Sequence, residues 1–274
     1  MAGLLIGTSG WTYPSWRRTF YPEDLPSRRY LEFYAQEFST AEVNYSFYHL
    51  PKPETYAKWA AQVPKGFVFS VKASRLITHT KRLKDVEEPW ETFVGNARSL
   101  GAQLGPILLQ FPPSFRCNEG RLGKFLKMAN SSGVKLVFEF RHESWFVEEV
   151  YRLLSRHDAA LCIADSPNYP RRDVLTAEFT YLRFHGRTQL FASRYSTGEL
   201  AEEAQKIKRY LKDGLDVYVY FNNDALGHAV ENARMLRRLL ERRRGGSTTG
   251  GVVPQAADTI QDTISPGRLG TWSG

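Results

Sequence analysis

The stretch FTYLRFH (residues 179–185) decides the fold, because it is short, rich in β-forming residues and strictly alternating. Leu182 and Phe184 occupy one phase of the alternation, and Arg183 and His185 occupy the other. Successive side chains of a strand point to opposite faces. The pattern therefore predicts a strand with one apolar face against helices and a second face that becomes polar at its C-terminal end.

Seven other short apolar runs share this character, and longer amphipathic stretches separate them. The eight runs are residues 4–8, 40–45, 66–72, 106–111, 135–141, 159–165, 179–185 and 216–222. Repeated strand–helix alternation favours a parallel sheet, and eight units favour its closure. The sequence therefore predicts the α/β class and a (β/α)8 TIM barrel. A doubly wound open sheet is the alternative, disfavoured because no glycine-rich dinucleotide-binding fingerprint follows the first run.

Length and composition predict one domain and a tail. Residues 1–243 are predicted to form the barrel, close to the ~250 residues that such barrels typically need. Residues 244–274 are rich in Gly, Ser and Thr and have no periodicity. That composition is typical of a flexible C-terminal tail.

The ends and the cysteines bear on the compartment. The N-terminal MAGLLIGTSGW has no basic leader, and no run of 18 apolar residues occurs in the chain. Cys117 and Cys162 do not form a CxxC pair, which fits a reducing compartment. We therefore expect a cytoplasmic protein without a membrane anchor. The net charge of +8 fits either a soluble basic surface or attraction to nucleic acid or phosphate.

Polar side chains at the C-terminal ends of the runs are predicted to converge, because barrel enzymes build their sites at that end. They are Glu42, Asn44, Lys72, Gln110, Glu139, Arg141, Asp165, Arg183, His185 and Asn222. The acidic and basic members, histidine aside, sum to zero charge. An internally paired network and a site prepared for a polar ligand therefore both remain open.

Roles within the site follow from residue type. Glu139, Asp165 and His185 are the predicted catalytic residues, because carboxylates and imidazole serve as general acids and bases. The predicted substrate-binding residues are Trp11, Glu42, Asn44, Lys72, Gln110, Arg141, Tyr181, Arg183 and Asn222. The lysine and the two arginines of this group suit a phosphate or carboxylate, and the aromatic rings suit a base or sugar face.

A divalent metal is an open alternative, since carboxylate plus imidazole suits Mn, Zn or Mg. Against it, only His185 of the six histidines lies securely at a strand end, with His142 just beyond the fifth run. No residue is assigned as a metal ligand. The chain also contains no GxSxG, HExxH, Walker or GxGxxG motif.

Six motifs in order give the chain a family resemblance. They are GTSGW (7–11), EVNYSFY (42–48), LLQFPPSF (108–115), EFRHESW (139–145), YLRFHG (181–186) and FNND (221–224). Together they resemble the YecE-like family, domain of unknown function 72, over about residues 5–240. Tyr45 and Ser46 follow the Glu-Val-Asn where the family usually shows Ser or Thr. The resemblance implies a TIM barrel and no established activity.

Two functional hypotheses follow from the predicted site. In the first, the protein is an enzyme of the hydrolase or lyase type that acts on a phosphate-bearing sugar or nucleic-acid ligand at the C-terminal mouth of the barrel. In the second, it binds nucleic acid or a phospholigand without turnover. Neutralising the predicted catalytic acids distinguishes the two, because only an enzyme loses turnover while keeping its ligand.

Overall fold

The computed structural model describes residues 2–241. The last two residues of the predicted barrel domain, 242–243, and the predicted tail, 244–274, lie outside the described residues. Within the described part, no helix is both long enough and apolar enough to cross a lipid bilayer.

Eight parallel strands form a closed barrel in chain order. They are β1 (Leu4–Ser9), β2 (Thr40–Val43), β3 (Val68–Lys72), β4 (Leu104–Gln110), β5 (Leu136–Glu139), β6 (Ala160–Asp165), β7 (Phe179–Phe184) and β8 (Asp216–Phe221). β8 closes the ring by pairing with β1, with Val219 opposite Ile6. The predicted TIM barrel is confirmed, and this closure rules out the open sheet.

Helices surround the barrel in the intervals between strands. They are α1 (Tyr30–Tyr34), α2 (Tyr45–Tyr48), α3 (Pro53–Ala61), α4 (Glu87–Ala97), α5 (Glu119–Asn130), α6 (Glu148–Ser155), α7 (Thr197–Lys212) and α8 (His228–Glu241). Their starts follow local chemistry: Ser196 and Glu199 form a capping box at α7, and Pro53 is the first residue of α3. Residues 166–178 cross from β6 to β7 as an irregular loop.

The strands separate two buried layers, as the alternation predicts. Phe69, Phe138 and Phe184 pack with helix residues in the main core outside the barrel. Val137 and Tyr181 belong to a second buried cluster built from strand residues alone, which fills the barrel interior. The polar residues in the same phase as this inner cluster therefore point toward the barrel axis.

β6 departs from the predicted phase. Cys162 and Ala164 belong to the interior cluster, whereas Ile163 packs in the outer core. Asp165 shares the phase of Ile163, so the prediction that it points toward the axis is wrong. The reason is packing: the interior at β6 lies against the large rings of β7 and β8, and only small side chains fit opposite them.

Gly7 is required where β1 meets β2. A Cβ atom at Gly7 would lie 2.1 Å from the backbone oxygen of Thr40 and 2.9 Å from the hydroxyl of Tyr34. That hydroxyl accepts from Thr8 N at 2.9 Å and donates to Thr40 O at 2.9 Å, so it joins the two strands. The contact leaves no room for a side chain.

We expect Gly7→Ala to lower the free energy of unfolding by about 1–3 kcal/mol or more, because the strands must move apart. Gly95→Ala is the control: Gly95 lies in α4 with no atom within 4 Å of an added Cβ. There alanine should gain about 0.5–1 kcal/mol by restricting the unfolded chain. Urea denaturation followed by tryptophan fluorescence measures both, and equal effects at the two sites would contradict this account.

Candidate functional site

A buried ion cluster occupies the barrel axis just below the C-terminal mouth. Arg183 of β7 donates through Nη2 to Glu42 Oε1 at 2.7 Å and through Nη1 to Glu139 of β5. Ser9 also donates to Glu42, and the Tyr181 hydroxyl donates to Glu42 Oε2 at 2.6 Å. These five side chains are named here the axial cluster, and each belongs to a residue at most 1 % exposed.

The two carboxylates of the axial cluster are held ionised. Burial alone would raise the pKa of Glu42, but the charge of Arg183 and the hydrogen bonds of Ser9 and Tyr181 outweigh it and lower the pKa. At Glu139, burial is likewise outweighed by Arg183 and Arg141, and the pKa lies well below its ordinary value. Both groups are therefore weak bases at neutral pH.

Several of the predicted site residues are fully buried in the axial cluster. Glu42, Tyr181 and Arg183 are buried at the axis as partners of one another, and their assignment as substrate-binding residues stays a prediction. Of the three cations of the predicted anion site, Arg183 is the one whose charge is already paired with two carboxylates. The catalytic role of Glu139 stays a prediction, and the geometry makes its carboxylate an ion-pair partner.

His185 and Asn222 do come together at the axial cluster. His185 Nδ1 lies 3.1 Å from the Asn222 amide nitrogen, and its Nε2 lies 3.7 Å from the carboxylate of Glu139. Burial and the charge of Arg183 lower the pKa of His185 to about 4. The imidazole is therefore neutral at physiological pH and can exchange hydrogen bonds but not carry charge.

Asp165 belongs to a different network, on the helix side of the barrel. It accepts from Arg171 at 3.1 Å and from the Tyr195 hydroxyl at 2.7 Å. Arg171 also pairs with Glu203 of α7 at 2.8 Å, which ties the loop 166–178 to that helix. Because β6 turns this carboxylate outward, no hydrogen bond or ion pair among residues 2–241 joins it to the side chains of Glu139 or His185, although the backbone N–H of His185 donates to the Asp165 carbonyl oxygen at 2.9 Å.

Lys72 ends β3 with its amine unpaired. Its Nζ lies 4.2 Å from the centre of the Phe47 ring and, within the described part of the chain, has no carboxylate within ion-pair distance. Burial, reinforced by the charges of Arg183 and Arg141, lowers the pKa of Lys72 to about 7. The side chain remains partly exposed at the mouth.

Arg141 is only half satisfied. Its Nε donates to Glu139 Oε1 at 2.8 Å, and its guanidinium stacks on the Tyr169 ring at 4.3 Å. Among residues 2–241, no ion-pair partner lies at its two Nη groups. The outer part of the guanidinium is thus available to a ligand.

The loop after β3 adds cations that sequence reasoning missed. Burial and the charges of Lys72, Arg141, Arg75 and Arg82 lower the pKa of His79 to about 4. Those four basic side chains are named here the cationic rim. Two of them, Arg75 and Arg82, were not predicted, and their signal in the sequence is the basic stretch KASRLITHTKRLK (72–84), which begins at the last residue of β3.

An aromatic cleft of about 370 Å³ adjoins the cationic rim at helix α2. Its principal lining residues are Trp11, Tyr13, Asn44, Tyr45, Tyr48 and Trp59. Tyr45 and Tyr48 are 54 % and 71 % exposed, and Asn44 Oδ1 is buried with no hydrogen-bond partner among the described residues. Two predicted residues, Trp11 and Asn44, therefore line this cleft, whereas Gln110 is buried and bonds to the backbone of Phe111.

Asp224, at the end of the FNND motif, is a second group that sequence reasoning missed. Burial raises the pKa of Asp224 to about 7. The hydrogen bond with the Tyr13 hydroxyl partly offsets this rise, and the negative charge of Glu42 adds to it. Its Oδ1 is buried without a hydrogen-bond partner in the described chain. This carboxyl can therefore change protonation near neutral pH.

Residues 2–241 contain no group of three or more His, Cys, Asp or Glu side chains arranged to hold a metal ion. The reason is visible at the axis, where Arg183 occupies both carboxylates. The structure thus provides no ligand set for the metal alternative in this part of the chain.

We expect Arg183→Met to lower the free energy of unfolding by about 3–5 kcal/mol, because it leaves two buried carboxylates without a counter-ion. Arg152→Met is the control, since its pair with Glu148, at 3.2 Å, is exposed on α6. That exposed pair contributes about 0–1 kcal/mol. Chemical denaturation measures both variants, and a loss below 1 kcal/mol at Arg183 would show that the axial cluster is not a stabilising network.

Asp224 should make stability fall as pH rises. With a folded pKa of about 7 against an ordinary 3.8, the folded state keeps a proton that the unfolded state has released. Between about pH 4 and 7, the wild type should therefore lose ~2 kcal/mol or more relative to Asp224→Asn, at ~1.4 kcal/mol per pH unit. Urea denaturation at several pH values measures this, with Asp213→Asn at the exposed end of α7 as control. A constant difference between wild type and Asp224→Asn across the pH range would contradict it.

A family model and similar proteins of known sequence point to the same family. A family model described as "Protein of unknown function DUF72" matches residues 5–257. The chain is 25 % identical to the UPF0759 protein YunF of Bacillus subtilis over 270 residues, 87 % of this chain and 95 % of YunF. It is 30 % identical to the UPF0759 protein YecE of Escherichia coli K12 over 112 residues, 41 % of this chain and 39 % of YecE.

A solved structure agrees with this. The crystal structure of a DUF72 family protein from Thermotoga maritima MSB8 superposes with a TM-score of 0.79 at 30 % sequence identity. The match covers 88 % of this chain and 100 % of that one.

Proposed function

The chain belongs to the DUF72 family, and we propose that its barrel mouth is the active site of an enzyme of the hydrolase or lyase type. The substrate class is a small phosphate-bearing molecule with a sugar or base ring. Three features support the proposal: unsatisfied cations, an adjoining aromatic cleft, and groups that titrate near neutral pH.

The observation that carries the proposal is the unequal pairing of the cations. Arg183 forms ion pairs with Glu42 and Glu139 inside the axial cluster. Lys72 has no ion-pair partner among residues 2–241, and Arg141 engages Glu139 through Nε alone. Buried or half-buried cations without counter-ions are costly for the fold, so an anionic ligand is the natural partner.

The surroundings extend this positive field. All four side chains of the cationic rim act on His79, whose pKa is lowered first by burial and then by their positive charges. Arg82 is additionally held by a hydrogen bond to Ser114 Oγ at 3.1 Å. A concave mouth with one sign of charge concentrates oppositely charged ligands, and guanidinium groups match phosphate oxygens in geometry.

The helix α2 joins the cations to the aromatic cleft. Phe47 lies under the amine of Lys72, while Tyr45 and Tyr48 of the same helix line the cleft. A phosphate on the cationic rim and a ring against these tyrosines would therefore belong to one ligand. Stacking on aromatic side chains is the usual mode of recognition for bases and sugar faces.

Catalysis, rather than binding alone, is favoured by two groups with pKa values of about 7. They are the Lys72 amine over Phe47 and the Asp224 carboxyl, which interacts with Tyr13 of the aromatic cleft. Groups that exchange protons near the working pH are what acid–base and nucleophilic catalysis require. A protein that only binds an anion would be better served by a lysine that stays fully charged.

We expect Arg141→Met to weaken binding of ribose 5-phosphate by tenfold or more, as loss of a charge-assisted hydrogen bond of ~1.5–3 kcal/mol implies. Isothermal titration calorimetry measures the affinity, and thermal melts check that the fold survives. Arg209→Met, at an exposed position of α7, is the matched control and should bind as the wild type does.

Two results would count against the proposal. If the wild type binds neither ribose 5-phosphate nor inorganic phosphate, the mouth is not a phosphate site. If it binds an oligonucleotide tightly, with steep salt dependence, and the sugar phosphate only weakly, the alternative of a nucleic-acid-binding protein without turnover is correct.

A further inference from the structure

We propose that Lys72 is the nucleophile of this site and that its amine condenses with the carbonyl group of a phosphorylated substrate to form an imine. The inference rests on the proposed function and makes it more specific, because it selects lyase-type chemistry. The substrate class becomes phosphate-bearing aldehydes or ketones, such as open-chain sugar phosphates.

The first support is the pattern of pairing around Lys72. Two carboxylates lie close enough to influence it electrostatically, yet both are engaged by Arg183. Glu139 is shared further with Arg141. A lysine whose purpose was to balance charge would sit on one of these acids, whereas this one is kept off them.

The second support is the position of the amine. Lys72 Nζ lies over the Phe47 ring, a surface that offers no oxygen to hold its protons. Phe47 is fixed there because the adjacent Ser46 donates through Oγ to the backbone oxygen of Lys72 at 2.6 Å and of Val43 at 3.1 Å. The helix α2 and the end of β3 are thus joined, and Lys72 is only half-buried at this end of the strand.

The third support is electrostatic. Burial and the neighbouring charges of Arg183 and Arg141 disfavour the ammonium form, so that the pKa falls to about 7 from the ordinary 10.5. Roughly half of the molecules would then carry a free amine at neutral pH, against fewer than one in a thousand for an exposed lysine. Desolvation and a nearby cation are the known ways to activate a lysine as a nucleophile.

The chemistry balances without a further reactant. The lone pair of Nζ attacks the carbonyl carbon, a C–N bond forms, and the electron pair of the C=O bond moves to oxygen, which takes up a proton that the nitrogen gives up. A second proton passes from nitrogen to that oxygen, which leaves as water, so that the C–O bond breaks and the C=N bond of the imine remains. Once protonated on nitrogen, the imine accepts the electron pair of an adjacent C–H bond, whose proton passes to water, or of an adjacent C–C bond, whose other carbon leaves as a carbonyl compound after its hydroxyl group loses a proton to water. Protonation of the carbon and hydrolysis of the imine return the amine.

Reductive trapping tests the inference. Pyridoxal 5′-phosphate, a phosphate-bearing aldehyde, is mixed with the protein in equimolar amount at pH 7, sodium borohydride fixes any imine, and peptide mass spectrometry locates the label. We expect Lys72 to be labelled at least tenfold more than Lys127, an exposed lysine of α5. The rate of labelling should have its midpoint near pH 7, and inorganic phosphate should suppress it.

A second probe and a conservative variant complete the test. Dihydroxyacetone phosphate with borohydride should add one reduced ketose to the intact mass of the wild type and of Lys127→Met, and none to that of Lys72→Arg. Because the arginine keeps the charge, Lys72→Arg should still bind phosphate by calorimetry. The labelling of the wild type needs no variant, so the test stands even if a substitution prevents folding.

The outcomes separate the two proposals. If phosphate binds but neither probe is trapped on Lys72, the lysine is only an anion ligand, and the imine is wrong while the proposed function stands. If Lys72 is trapped at pH 7 but phosphate neither binds nor competes, the nucleophile is supported and the phosphate-bearing substrate is wrong. Labelling spread evenly over the lysines overturns the inference.

Discussion

The charge of Arg183 at the barrel axis is the interaction on which the rest of the site depends. A guanidinium buried at this depth needs carboxylates, and Glu42 and Glu139 supply them from β2 and β5. Three strands on different sides of the ring are thereby joined across the axis. Because Arg183 engages both acids, among residues 2–241 Lys72 is left without an ion-pair partner and Arg141 shares Glu139 through its Nε alone.

This arrangement divides the polar residues of the barrel by depth rather than by type. The axial cluster is a structural layer, and Lys72 and Arg141 stand on it at the level that solvent reaches. Above them the loop after β3 and the helix α2 contribute groups of opposite character, basic on one side and aromatic on the other. The strand ends therefore supply Lys72 and the buried platform, while the loops supply the surrounding basic and aromatic groups.

Much of the fold could be predicted from the sequence, because period-two alternation in runs such as FTYLRFH reports directly which face meets helices. The prediction from alternation was wrong at β6, where the apolar Cys162 and Ala164 were expected on the outer face but lie in the barrel interior. Their inward position depends on the size of the tyrosines opposite, a tertiary constraint that one strand does not carry. The sequence also could not show that Arg183 pairs with Glu42 and Glu139, because a zero sum of charges is compatible with Arg183 being either paired or available to a ligand. Asp224 escaped notice because its raised pKa arises from burial beneath a loop.

The lysine without a counter-ion has a consequence for the shape of acceptable substrates. A phosphate dianion placed beside Lys72 would draw a proton onto the amine by thermodynamic linkage and so quench it. On the imine proposal, a productive ligand would instead rest its phosphate on Arg141 and Arg82 of the cationic rim, which both act on His79, and extend its carbonyl to the face of Phe47. The number of carbon atoms between phosphate and carbonyl would then be the principal criterion of substrate selection.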